Sequence, residues 1–88
     1  MNATSTEKIV MSRSTAIALI VRLEILDIPY VQSKECRHQL IEFLSDILVK
    51  NNEDCNNSYI EIDLGDVKHY ISDSDMATKI LRYYGEVF

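Results

Sequence analysis

The stretch that most constrains this chain is 59–71, which reads Tyr-Ile-Glu-Ile-Asp-Leu-Gly-Asp-Val-Lys-His-Tyr-Ile. Apolar and polar residues alternate on both sides of Gly65-Asp66, the pattern of two half-buried strands joined by a two-residue loop. Glycine at the first central position supplies the positive φ of a type II′ turn. The expected register sets Leu64 across from Val67, Asp63 from Lys68, Ile62 from His69, Glu61 from Tyr70 and Ile60 from Ile71. One face would collect Ile60, Ile62, Leu64, Val67, His69 and Ile71, and the other Tyr59, Glu61, Asp63, Lys68 and Tyr70. A slip of one residue would turn the apolar set to water, so such a hairpin has one register.

The rest of the chain reads as helices around that hairpin. Residues 1–14 admit two readings: Thr4 and Glu7 have the spacing of a capping box, while Ile9-Val10-Met11 fits a short strand beside the hairpin. A short helix or frayed lead-in is the preferred one. Ser14 is the expected N-cap of a helix over 15–27, in which Ala16, Ile17, Leu19, Ile20, Leu23 and Leu26 recur at helical spacing. Val21, Ile25 and Ile28 widen the stripe until most of the circumference is apolar, which suits a central core helix or an oligomer interface. Pro29 ends it, because the residue before proline is pushed out of the helical region.

Ser33 opens a second helix that buries Cys36, Leu40, Ile41, Phe43, Leu44, Ile47 and Leu48 and turns Lys34, Arg37, Glu42, Asp46 and Lys50 to solvent. Its short connector to the first helix predicts an antiparallel helical hairpin. Residues 51–58 are turn chemistry throughout. A last helix, capped by Ser72 or Ser74, carries Met76, Ala77, Ile80, Leu81 and Tyr84 in one stripe, with Gly85 as a left-handed stop. The expected fold is α+β, a single domain over 1–88 in the order ααββα, its antiparallel β-hairpin packed against two or three helices. Two strands alone are marginal, so either the helices cover them fully or a third strand completes the sheet, from Ile9–Met11, a second subunit or a target.

Charge narrows the classes of partner. The net charge is −5, and all of the excess lies in 51–88, because the six acids of 1–50 are matched by six bases. Affinity for nucleic acid rests largely on Lys and Arg neutralising phosphates, so this balance disfavours a phosphate backbone and favours a basic protein or ribonucleoprotein surface. Two cysteines and a polar start without a signal-type segment point to a reducing cytoplasm. The apolar run 16–21 stops at Arg22, far short of the ~20 residues a membrane span needs, so no membrane partner is expected.

Candidate chemistry is sparse. A metal site would draw on Cys36, His38, Cys55 and His69, but Cys36 and His38 point about 200° apart on a helix, and no Cys-x-x-Cys or His-x-x-x-His pair exists. Asp63, Asp66, Asp73 and Asp75 lack the spacing of an EF-hand loop. No nucleophile–base pair or phosphate loop can be assembled, so neither catalytic residues nor a cofactor or metal is expected. His69 falls on the apolar face of the hairpin, where a satisfied structural imidazole is the ordinary reading.

What remains is a surface. Tyr59, Glu61, Asp63, Asp66, Lys68, Tyr70, Asp73 and Asp75 are the expected partner-binding residues, with the tyrosines as amphipathic anchors inside an acidic rim. The expected function is a non-enzymatic inhibitor or immunity-type protein that docks this surface on a basic macromolecule. Bacteriocin immunity proteins and phage anti-defence proteins offer an analogy of size and charge alone, without a shared motif. The first alternative is a winged-helix DNA-binding regulator, with 33–50 as recognition helix carrying Lys34, Arg37, His38 and Gln39, and the hairpin as wing. The second is an oligomeric assembly subunit, a homodimer for instance, joined through the apolar first helix.

Overall fold

The computed structural model describes residues 7–25, 34–52 and 58–87. It is a small α+β domain, as the alternation and helical stripes predict, with an antiparallel pair of strands packed on helices. The strands are β1 (Lys8–Ser12) and β2 (Tyr59–Asp63); the helices are α1 (Arg13–Glu24), α2 (Lys34–Asn52), α3 (Leu64–Tyr70) and α4 (Ser74–Val87). The expected second hairpin strand is therefore corrected: 64–70 is helix, and β2 takes its partner from the start of the chain. The preferred helical or frayed reading of 1–14 is corrected over Lys8–Ser12, where the alternative strand forms.

The physical reason lies in a pattern that fits two periods. Leu64, Val67 and Ile71 satisfy helical spacing as well as alternation, and all three are buried from the helical geometry. Asp63 tips the balance locally: its Oδ1 accepts the Gly65 N–H at 2.8 Å, capping α3 at the position where a turn was expected. Gly65 therefore serves in the first turn of a helix. Its missing side chain matters there, since a Cβ would lie 3.1 Å from Asp63 Oδ1.

β1 and β2 pair Ile9 with Ile62 and Met11 with Ile60 on the inner face, and Lys8 with Asp63, Val10 with Glu61 and Ser12 with Tyr59 on the outer one. The two ends of the ladder are built alike, each strand running straight into a helix capped by its own last residue. Ser12 Oγ accepts the Thr15 N–H at 3.0 Å and lies 2.7 Å from the hydroxyl of Thr15, which is buried. Ser12, not Ser14, is thus the cap of α1. The pairing continues past both ends, through Arg13 N–H to the Ser58 carbonyl at 2.8 Å and Leu64 N–H to the Glu7 carbonyl at 3.1 Å.

The core joins Met11, Ile60 and Ile62 to Ala16, Leu19, Leu23, Cys36, Leu40, Phe43, Leu44, Ala77, Ile80, Leu81 and Tyr84, the stripes read from the sequence for α2 and α4. α1 and α2 pack directly on one another. α1 buries Ala16, Leu19 and Leu23 and leaves Ile17, Val21 and Ile25 about half exposed or more on the opposite side. The cap of α4 is corrected from Ser72 or Ser74 to Asp73, whose Oδ1 accepts the Met76 N–H at 3.2 Å. Gly85 is corrected as well: it lies inside α4, without positive φ, where a Cβ would stand 3.4 Å from Ile9 Cγ2 and 3.6 Å from Met11 Cε. The expectations for Thr4, Pro29, Ser33 and Cys55 fall outside the described residues.

Candidate functional site

The expected partner surface required one strand pair to carry Tyr59, Glu61, Asp63, Lys68 and Tyr70 side by side, and the helical turn of α3 separates them. Tyr59 and Glu61 stay on the outer face of β2, where Glu61 lies 3.9 Å from Lys8 Nζ. Asp63 stands at the end of that face and is engaged in capping α3. Lys68 and Asp75 line a cleft between α3 and α4 together with Lys79 and Arg82. Asp73 is engaged at the start of α4. His69, expected on the apolar face, is exposed and meets the Tyr70 ring edge-on, with centroids 4.7 Å apart.

Asp66 and Tyr70 are brought into a different setting. Four residues apart on α3, they share one side of that helix and face α2 across a groove of about 300 Å³. From α2 the groove takes Gln39, Glu42, Phe43, Asp46, Ile47 and Lys50, a stripe at helical spacing. Phe43 is buried and Tyr70 is 62% exposed, their ring centroids 6.4 Å apart at a tilt of 38°. Three carboxylates, of Glu42, Asp46 and Asp66, stand against one ammonium, of Lys50, around that aromatic wall. Glu42 and Asp46 were expected only as solvent-facing residues. Their four-residue spacing was legible in the sequence, but nothing short of α3 being helical could set Asp66 opposite them.

At the Gln39 end of the groove, α2 is tied to the α3–α4 joint. Ser72 N–H donates to Gln39 Oε1 at 2.9 Å, Gln39 Nε2 donates to Ser72 Oγ at 3.2 Å, and the Ser72 hydroxyl reaches Glu35 Oε1 at 3.3 Å. Gln39, expected to read bases in the winged-helix alternative, is thus occupied in positioning α3, and the segment expected as the wing is β2 followed by α3. Among the described residues, no group of three or more His, Cys, Asp or Glu side chains is arranged to hold a metal ion. Cys36 is a buried thiol whose Sγ lies 3.9 Å from the Asp73 carbonyl. Burial pushes that thiol up from its ordinary pKa, and the Asp73 charge adds to the rise. A thiol held protonated is a poor nucleophile.

Among the described residues no helix is long and apolar enough to cross a membrane. No protein-family model, no curated protein and no solved structure matches this chain.

Proposed function

We propose that this chain is a non-enzymatic binding module that receives a basic protein or ribonucleoprotein surface in the groove between α2 and α3, and acts by blocking that surface. The observation that carries the reading is the convergence of Glu42, Asp46 and Asp66 around the Phe43 and Tyr70 rings. A guanidinium or ammonium entering there meets carboxylates at the rim and an aromatic face at the wall, the two groups that attract cations best. The excess negative charge steers a basic partner toward it and disfavours a phosphate backbone. A reducing, cytoplasmic setting suits the buried thiol of Cys36.

The test is a titration of isotope-labelled protein with a short oligoarginine peptide, followed by capture from native lysate with nuclease added. The reading expects amide shifts confined to Gln39, Glu42, Asp46, Asp66 and Tyr70. It also expects a nuclease-resistant partner that Glu42→Lys, Asp46→Lys and Asp66→Lys together release. Each exposed charge pair contributes about 0.2–1 kcal/mol, so the triple variant should bind roughly 3- to 150-fold more weakly. Shifts spread over the surface, or binding unchanged in the triple variant, would sink it. A second reading, an assembly subunit, draws on the exposed stripe of Ile17, Val21 and Ile25 along α1, and would be supported if Val21→Lys dissolved an oligomer.

A further inference from the structure

We propose that the outer edge of β1 pairs with the same edge of a second copy, making a two-fold dimer with a continuous sheet in the order β2-β1-β1-β2. The direction of the backbone groups comes from the ladder itself. Hydrogen bonds from Arg13 N–H to Ser58 and from Leu64 N–H to Glu7 bracket the pair, so Ile9 with Ile62 and Met11 with Ile60 are the hydrogen-bonded pairs between them. The N–H and C=O of Lys8 and Val10 therefore turn away from β2, and among the described residues no hydrogen bond reaches them. Val10 carries this open edge with a side chain 55% exposed. Beside it, a groove of about 460 Å³ is bounded by Glu7, Lys8, Ile9 and Val10 on the strand side and by Arg82 and Gly85 on α4, with Arg82 donating to Glu7 at the start of the strand. A bare two-stranded sheet is marginal and its edges are templates for further pairing.

Register and charge select the occupant. With the two-fold at Val10, the N–H and C=O of Val10 exchange hydrogen bonds with those of the second Val10, and each Ser12 N–H donates to the opposite Lys8 carbonyl. Outward side chains then pair Val10 with Val10 and Lys8 with Ser12. Inward ones pair Ile9 with Met11, extending the apolar face on the side already packed on helices. Past the strand ends, Glu7 of each copy, which accepts from Arg82 of its own chain, comes level with Arg13 of the other. The other edge fails the same trial: self-pairing of β2 about its centre sets Glu61 directly on Glu61. The β1 edge is thus self-complementary and the β2 edge self-repelling, which closes the assembly at two copies instead of a filament. This surface is separate from the acidic groove, which α2 and α3 form on the β2 side of the sheet.

The experiment is sedimentation equilibrium of the full chain, with amide exchange at Val10 read by NMR. Wild type is expected at twice the chain mass of 10.1 kDa below millimolar concentration. Its Val10 amide should be protected and should lose protection on dilution. Val10→Pro removes an N–H that β2 does not use, and should raise the dissociation constant at least about a hundredfold, a tenfold loss per unmade hydrogen bond counted in both copies. Val10→Lys, which leaves every backbone group in place, should weaken the dimer in the same direction by setting like charges at the two-fold. Glu61→Pro, its counterpart on the far edge, should leave the dimer intact. A wild type that stays monomeric to millimolar concentration would overturn the proposal. So would an oligomer larger than a dimer, or a dimer that survives both Val10 variants and yields to Val21→Lys.

Discussion

Gly85→Ala separates two accounts of the C-terminal helix by the sign of its effect. If Gly85 ended the helix in the left-handed region, alanine would cost about 1 kcal/mol or more from the clash of its Cβ. In the structure Gly85 is helical and two residues short of the last helical position, Val87. Alanine is favoured over glycine by about 0.8–1 kcal/mol in a helix interior, and fraying of a last turn roughly halves that. The new methyl would meet Ile9 Cγ2 at 3.4 Å and Met11 Cε at 3.6 Å, ordinary contact with the free ends of two side chains. The two gains together predict stabilisation of about 0.5–1 kcal/mol, a rise in Tm of roughly 2–8 °C for a domain of this size. Urea unfolding followed by circular dichroism measures it, with an unchanged denaturant slope as the check that only the native state moved. A loss of about 1 kcal/mol at constant slope would refute the reasoning and restore the left-handed stop. Gly85→Val should reverse the sign, since further carbons force Ile9 and Met11 aside at about 1–3 kcal/mol.

Two further outcomes follow from the caps and the buried thiol. Asp63→Ala should cost about 1 kcal/mol by leaving the first turn of α3 uncapped, while Asp66→Ala, on the exposed groove, should stay within about 0.5 kcal/mol; equal effects in thermal melts would contradict the α3 assignment. Cys36 holds its proton more tightly folded than unfolded, so its contribution to stability is complete below its ordinary pKa of 9.0 and is lost as pH rises from there through the raised native value. Urea midpoints compared between about pH 7.5 and pH 10 should fall less steeply in Cys36→Ala than in wild type, and parallel slopes would contradict it.

Much of the core is legible in the sequence. The stripe Cys36, Leu40, Phe43 and Leu44 on α2, and Ala77, Ile80, Leu81 and Tyr84 on α4, are buried as their spacing requires. The alternation of Tyr59–Asp63 gave both the strand and its inward residues, Ile60 and Ile62. The candidate groove was only half legible. Asp66 and Tyr70 stood among the expected surface residues, but Glu42 and Asp46 looked like solvent-facing positions because their role depends on a helix opposite them. His69 was misassigned for the same reason, since strand alternation points it inward and the helical turn points it out.

Sequence alone determined the local periods: which residues of α2, α4 and β2 turn inward, and that the chain mixes helices with a short sheet. It could not decide 64–71, where Leu64, Val67 and Ile71 satisfy both a two-residue and a 3.6-residue repeat. That choice was made by a strand fifty residues away. Once Lys8–Ser12 is bound to β2, Ile9 and Met11 cover the apolar pair that a second hairpin strand would have covered, and Asp63 is free to cap a helix. Strand pairing is a contact between distant segments, and its partner is set by which apolar faces can close over one core, a condition that no local pattern carries.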